Sequence, residues 1–251
     1  MSAVTPVSYL ETGARRLGLH LTRVQSGLFL RYLELMAREK QNLTTVTSSL
    51  EIVEKHFLDS LTVALAVEPA PGSLVLDVGS GAGFPGIPLK ILLPGIRLVL
   101  LEPRTNRAMF LKHTLYALGL AGVTVERARA EDYLRDQRVR EKFTLVTARA
   151  VAPLAVLAEY CLPALAPGGL WVAQKGPEAD REISEARGCL EVMGGGTPSI
   201  RRLTLPYSGA VRVLVTVPKV KNTPAEYPRR AGVPARRPLA GKKAKGGEYL
   251  T

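Results

Sequence analysis

From Leu74 onward the chain alternates short apolar runs with longer stretches whose apolar residues return about once per helical turn. The runs Leu74–Val78, Arg97–Leu101, Val123–Arg127, Phe143–Ala148 and Gly169–Gln174 are rich in Val and Leu, which suits strands of a parallel sheet buried on both faces. Thr105–Leu118 predicts an intervening helix with Met109, Leu111 and Leu115 available for packing. Upstream, residues 1–68 read as helical. Val24, Leu28, Tyr32, Leu35 and Met36 recur at spacings near one turn, and Ser48 with Glu51 has capping-box spacing at the start of another helix. The stretch "EPAPGS", Glu68–Ser73, separates the two zones. Near the end, Ile200–Leu205 and Ala210–Lys219 flank a short "PYSG" connection, the pattern of a hairpin that closes the sheet antiparallel. The expectation is an α/β chain in three parts: a helical zone 1–68, a core 69–217 and an extended Pro/Gly-rich tail 218–251.

A length of 251 residues is enough for one main domain with additions. Lys90 and Arg97 interrupt the most apolar region, so no run is long enough to span a bilayer, and the start lacks the order of a secretory signal. Cys161 and Cys189 match no metal or redox spacing, which fits a reduced, cytoplasmic setting without a metal. Charge changes the picture more. The net charge is +12, and the segment from Pro218 contributes nine Lys/Arg against two Glu, or +7 of it. Such an excess favours polyanions through counterion release, with nucleic acid the default partner; a solubility tail is the blander reading.

The chemistry concentrates in "LDVGSGAGFPGIP", Leu76–Pro88, directly after the first strand. Glycines at a strand tip let backbone approach a nucleoside where a side chain would collide with it. Gly81, Gly83 and Gly86 have dinucleotide spacing, whereas Asp77, Gly79, Gly81 and Gly83 suggest a different nucleoside ligand. A pyrophosphate disfavours a nearby anion, but a ligand with an ammonium and a sulfonium favours one, and Asp77 supplies it. Glu102 ends the second strand where a ribose diol would lie, an arrangement NAD would share. Asp77 and the terminal hairpin tip the reading towards S-adenosylmethionine, with S-adenosylhomocysteine as product. No Gly-Lys-Ser/Thr follows, which disfavours a P-loop.

"DVGSGAGFPGIPLK" resembles motif I of the small-subunit rRNA guanine-N7 methyltransferases, also called glucose-inhibited division protein B. "NLTTV" (Asn42–Val46), "HFLDSL" (His56–Leu61), "TARAVAPL" (Thr147–Leu154) and "YPRRAGVPARRPL" (Tyr227–Leu239) resemble segments of the same family. Two positions depart from it: Arg38-Glu39 stands where Asn-Lys is common, and Asn106-Arg107 where Lys-Arg is. The resemblance implies a seven-stranded Rossmann-like fold and a donor pocket of Gly79, Phe84, Glu102, Pro103, Arg104, Ala130, Glu131 and Arg149. Phe84 would cover the donor with its ring or belong to the core. Ala130 and Glu131 would flank adenine, and Arg149 would bind the methionine carboxylate or steady the acceptor. A guanosine in the decoding region of 16S rRNA is the implied target.

The acceptor loop supports that direction. "ARAVAPL" lacks the Asn/Asp-Pro-Pro-aromatic signature of adenine-amine methylation, and Cys161 sits in a helical run rather than in a nucleophile's setting. Guanine N7 needs no base, because its lone pair is free. Arg149 and Lys175 are expected at the acceptor mouth. Arg201, Arg202, Arg212, Arg229, Arg230, Arg236 and Arg237 are expected to hold RNA phosphates. The expected working form is a monomer acting on 16S rRNA or the small subunit. Methylation of another RNA, or a silent assembly factor on the same scaffold, are the alternatives.

Overall fold

The structure is a computed structural model that describes residues 4–39, 46, 48–149 and 151–239. Two helices open it, α1 (Pro6–Arg16) and α2 (Arg23–Arg38), each started by a reciprocal capping box, Thr5 with Ser8 and Thr22 with Gln25. The next helix, α3 (Ser49–Ile52), begins where Ser48 and Glu51 predicted it, but the Ser48 side chain makes no cap bond. A π-helical turn (Val53–Leu58), α4 (Asp59–Leu61) and a 3₁₀ turn (Thr62–Leu65) continue it. Then come β1 (Leu74–Val78), α5 (Gly86–Leu92), β2 (Arg97–Leu101), α6 (Thr105–Leu118), β3 (Val123–Glu126), α7 (Ala130–Tyr133) and β4 (Phe143–Arg149). The chain proceeds through α8 (Leu154–Cys161), β5 (Leu165–Lys175), α9 (Ala179–Val192), β6 (Ser199–Thr204), β7 (Val211–Pro218) and α10 (Val233–Arg236).

The seven strands form one sheet in the order β3-β2-β1-β4-β5-β7-β6, with only the β5–β7 and β6–β7 pairs antiparallel. The expected fold class and terminal hairpin are therefore present. Alternate residues of each strand face opposite layers. Val75, Leu98, Leu100, Leu145 and Val172 pack with α1, α2, the π turn, α5 and α6. Leu76, Val99, Val146, Trp171 and Val215 pack with α7, α8 and α9. The N-terminal helices are thus one layer of a shared core. Within them Tyr32 and Met36 are buried as the periodicity suggested, whereas Val24, like Met109 of α6, is exposed.

The tail departs from expectation, because its described part is anchored rather than simply extended. Lys219 is fully buried, donating to the carbonyls of Leu162 (2.8 Å) and Met193 (2.9 Å) and to the Thr223 hydroxyl. Burial lowers its pKa to about 8, against the opposing pull of Glu141. Arg140 donates to the carbonyls of Thr223, Pro224 and Tyr227. Residues 240–251 and the first four residues of "NLTTV" lie outside the described residues.

Candidate active site

The glycine-rich turn follows β1 at the carboxyl edge of the sheet, the edge where open α/β sheets bind ligands. Gly79, Gly81 and Gly83 all have positive φ, at 71°, 59° and 104°. A Cβ at Gly79 would come within 2.7 Å of Val151, and one at Gly83 within 2.6 Å of both Ile87 and the Tyr32 hydroxyl. The turn is clamped from the neighbouring strand. Gly79 and Ser80 donate to the Leu101 carbonyl, and Glu102 accepts from the amides of Gly81 and Arg104, both at 2.9 Å. Pro103 and Arg104 follow on the exposed side, leading into α6.

Asp77 does not face a ligand. It is 0% exposed, and its two oxygens accept from Gly86 N (3.1 Å) and the Thr147 hydroxyl (3.0 Å). Burial raises its pKa from 3.8 to about 6, while the bonds from Thr147, Gly86 and Ser80 pull it down. The anion expected of Asp77 beside the ligand site is present, but it is buried beneath the turn rather than exposed at its mouth. Its carboxylate ties the turn together from beneath, because β1 directs that side chain into the core.

Phe84 also lies beneath the turn rather than over a donor, and only 6% of it is exposed. Its ring stacks on His56 (4.8 Å between centroids), touches Tyr32 and Phe57, and carries the Arg149 guanidinium 4.9 Å above its centroid. Glu131 follows Ala130 at the start of α7, where both are buried. Its carboxylate accepts from Gly232 N of the tail (2.8 Å) and interacts with Tyr160, whose hydroxyl is pushed up to about 12, chiefly by burial. It therefore does not point at a base edge, and any reading of adenine there falls to backbone.

Beside the turn a cavity of about 490 Å³ opens across the ends of β4 and β5, bordered by His56, Asp59, Arg149, Gln174, Lys175 and Arg212 among others. Asp59 is its hub. One oxygen accepts from Arg149 (3.2 Å) and the other from Arg212 Nε (3.0 Å), while Gln174 donates to its carbonyl (2.7 Å). Arg149 places its second terminal nitrogen 3.2 Å from His56 Nδ1. A guanidinium can only donate, so Nδ1 accepts and a neutral His56 carries its proton on Nε2. Burial, then Arg149, lowers the His56 pKa to about 4. Burial likewise lowers that of Arg149, with Asp59 and Asp77 opposing. Lys175 borders the cavity as expected but is engaged by Glu182 (2.6 Å) and the Ala152 carbonyl (2.8 Å).

Residues 25–204 match the GidB family, described as rRNA small subunit methyltransferase G. The "Ribosomal RNA small subunit methyltransferase G" of Pelotomaculum thermopropionicum is 46% identical over 232 residues, covering 92% of this chain and 97% of that protein. The protein of the same name from Roseiflexus sp. is 48% identical over 228 residues, with coverages of 90% and 97%. The chain belongs to the rRNA small subunit methyltransferase G family. It is therefore an rRNA methyltransferase that uses S-adenosylmethionine, as the resemblance implied. The crystal structure of a SAM-dependent methyltransferase from Aquifex aeolicus shares the fold, at a TM-score of 0.50, 18% identity and coverage of 68% of this chain and 93% of that one.

The residues of this family member fit the donor. Gly79, Gly81 and Gly83 turn the backbone at positive φ, with the Cβ positions at Gly79 and Gly83 taken up by Val151, Ile87 and Tyr32, and Glu102, 3% exposed, sits level with Gly81 where a diol would approach. Asp77 adds a buried anion behind the turn that suits a sulfonium. Of the arginines expected on RNA, Arg230, Arg236 and Arg237 are exposed. The phosphate role expected of Arg229 is corrected, because it is locked to the buried Glu159. Arg202 pairs with Asp180, Arg201 donates to the Leu65 carbonyl, and Arg212 belongs to the cavity. Sequence reasoning placed His56 and Asp59 only within the family-like "HFLDSL" segment and singled out neither Gln174 nor Glu182 as a site residue. One signal was present: His56 and Asp59 are three apart on a helical stretch and so share a face.

Proposed function

We propose that this chain transfers the methyl group of S-adenosylmethionine to N7 of a guanosine in the decoding region of 16S rRNA, releasing S-adenosylhomocysteine. Family membership supports the reaction class. One geometric observation carries the assignment of the acceptor site: Arg149 touches both the donor turn, through Phe84, and the cavity, through Asp59. A base held there lies beside the donor.

The donor supplies an electrophilic methyl carbon on a sulfonium. The protein's task in such a displacement is alignment and electrostatic support. Gly79, Gly81 and Gly83 present backbone to the donor, and Glu102 with Pro103 and Arg104 holds its ribose end. Ala130 and the backbone of Glu131 flank its adenine. Arg149 and Lys175 orient the guanine, whose N7 attacks with its own lone pair and needs no proton removed first. The methylated base is cationic, and Asp59 and Glu182 at the cavity support that charge. Because N7 of duplex RNA lies in a deep, narrow groove, the target base must be unpaired or extruded. Arg230, Arg236 and Arg237, with Arg201 and Arg202 on the sheet edge, hold phosphates around it.

We read the working form as a cytoplasmic monomer on the small subunit, with the 69–217 core carrying donor and acceptor and the flanking segments shaping them. Among the described residues no helix is long and apolar enough to cross a membrane, and no cluster of metal-ligating side chains occurs. Tritiated methyl transfer to intact small subunits, naked rRNA and tRNA, followed by borohydride–aniline cleavage, tests the reading. Label that cleaves at one guanosine of the small-subunit rRNA is expected. Label without cleavage would move the acceptor atom, and no label would remove the activity.

A further inference from the structure

Lys55, Arg149, Lys175 and Arg212 border the acceptor cavity, against the carboxylates of Asp59 and Glu182. His56, the other titratable group in the lining, is neutral near neutral pH, because burial and Arg149 hold its pKa at about 4. The lining is therefore net cationic, which an uncharged base alone does not balance. A phosphate does, and a guanidinium fork matches its oxygens.

Arg212 has the geometry for that role. It comes from the antiparallel strand β7, outside the parallel part of the sheet. Asp59 pins its Nε at 3.0 Å, and Nη1 donates to the Val211 carbonyl at 3.0 Å. Among the described residues nothing accepts from its Nη2. Lys55, from the π turn, pairs with Glu51 at the surface, an exposed contact of little energy that a phosphate can replace. The volume of about 490 Å³ lies within the range of small-molecule sites, about 300–1,000 Å³.

Resting on the guanine reading above, we propose that the cavity takes the target guanosine as a whole nucleotide. The base lies against Arg149, and the nucleotide's own phosphate is held by Arg212 with Lys55. Asp59 is a positioning residue: by gripping Arg149 and Arg212 with its two oxygens it fixes the spacing between base site and phosphate site. The nucleotide reaches the cavity by leaving its stack, as in other enzymes that act on a base.

Calorimetric titration of the full chain, saturated with S-adenosylhomocysteine, tests this with guanosine 5′-monophosphate, guanosine and inorganic phosphate. The monophosphate is expected to bind at least about tenfold more tightly than either of the others. Arg212→Gln should bring it to the level of guanosine, and Arg212→Lys should restore part of the difference. Arg97→Gln removes the same charge at the opposite edge of the sheet and should leave the ratio intact. Affinity for S-adenosylhomocysteine should hold in all three variants, which separates the effect from misfolding. Equal binding of monophosphate and guanosine, a ratio that survives Arg212→Gln, or inorganic phosphate matching the monophosphate would each overturn the proposal. So would no heat from the monophosphate at about 10 mM. The titration reads binding rather than turnover, so a protein that discriminates the ligands yet methylates no RNA would refute the activity and leave the subsite standing.

Discussion

Arg229→Ala separates two readings of the same charge. By composition Arg229 is one of the tail cations expected on RNA, but in the fold it closes on Glu159, which is 1% exposed. Its backbone amide (2.7 Å), Nε (2.9 and 3.0 Å) and Nη2 (2.7 Å) all donate to that carboxylate. Removing one partner of a buried pair costs about 3–5 kcal/mol, because the other charge is left uncompensated. Two features lower the figure here. The backbone amide still donates after truncation, and the arginine side chain is 23% exposed, so water can replace part of it. A loss of about 2–3 kcal/mol remains, which for a chain of this size is about 4–12 °C in Tm. Thermal unfolding by circular dichroism measures it, alongside RNA binding across a salt series. The expected result is a lowered Tm with an unchanged salt slope, and partial recovery when Glu159→Gln and Arg229→Met are combined. An unchanged Tm with the slope reduced by about one would refute the argument and return Arg229 to the RNA.

Three further outcomes follow from the same geometry. Replacing Arg230, Arg236 and Arg237 together with Gln should leave Tm within about 1 °C, since all three are exposed, and lower the RNA salt slope by about 2–3; an unaltered slope would place RNA elsewhere. Gly83→Ala forces a Cβ into Ile87 and Tyr32 at φ 104°, so calorimetry should show donor affinity falling at least about tenfold, and wild-type affinity would refute the close fit. Asp77 protonates more readily folded, at about 6, than its ordinary 3.8, so its charge opposes folding above that range and the penalty fades as pH falls through the interval between the two values. Against Asp77→Asn, wild-type Tm should therefore improve between about pH 7 and pH 4, whereas a constant difference would show that Asp77 is not buried as described.

How much of this was legible depends on whether the residues acting together are also close in sequence. The strands were readable because a sheet covered on both faces needs apolar residues throughout, and the hairpin because its two runs are separated by one short turn. The glycine turn announced itself since three positive-φ positions in five residues leave few other choices. What a local pattern cannot show is direction. Asp77 and Phe84 occupy the motif but face inward, and only the packing of α2 and the π turn against β1 and the turn decides that. The cavity draws Asp59, Arg149, Gln174 and Arg212 from four separate elements, so no spacing rule joins them. The π turn between the short helices α3 and α4 likewise escaped the simple periodicity.

Net charge misleads for a related reason. The tail's excess reads as one uniform polyanion-binding arm, yet within the described residues Lys219 and Arg229 point into the molecule, where carbonyls and Glu159 receive them. Those contacts secure the tail against α8 and α9, and Gly232 then reaches Glu131 at the start of α7. The exposed Arg230, Arg236 and Arg237 are therefore carried on a segment fastened to the helix layer that flanks the donor turn. A flexible arm would raise RNA affinity without setting its register. An anchored one holds its exposed arginines at a fixed distance from the glycine turn, the geometry that in-line transfer would demand of phosphate contacts made there.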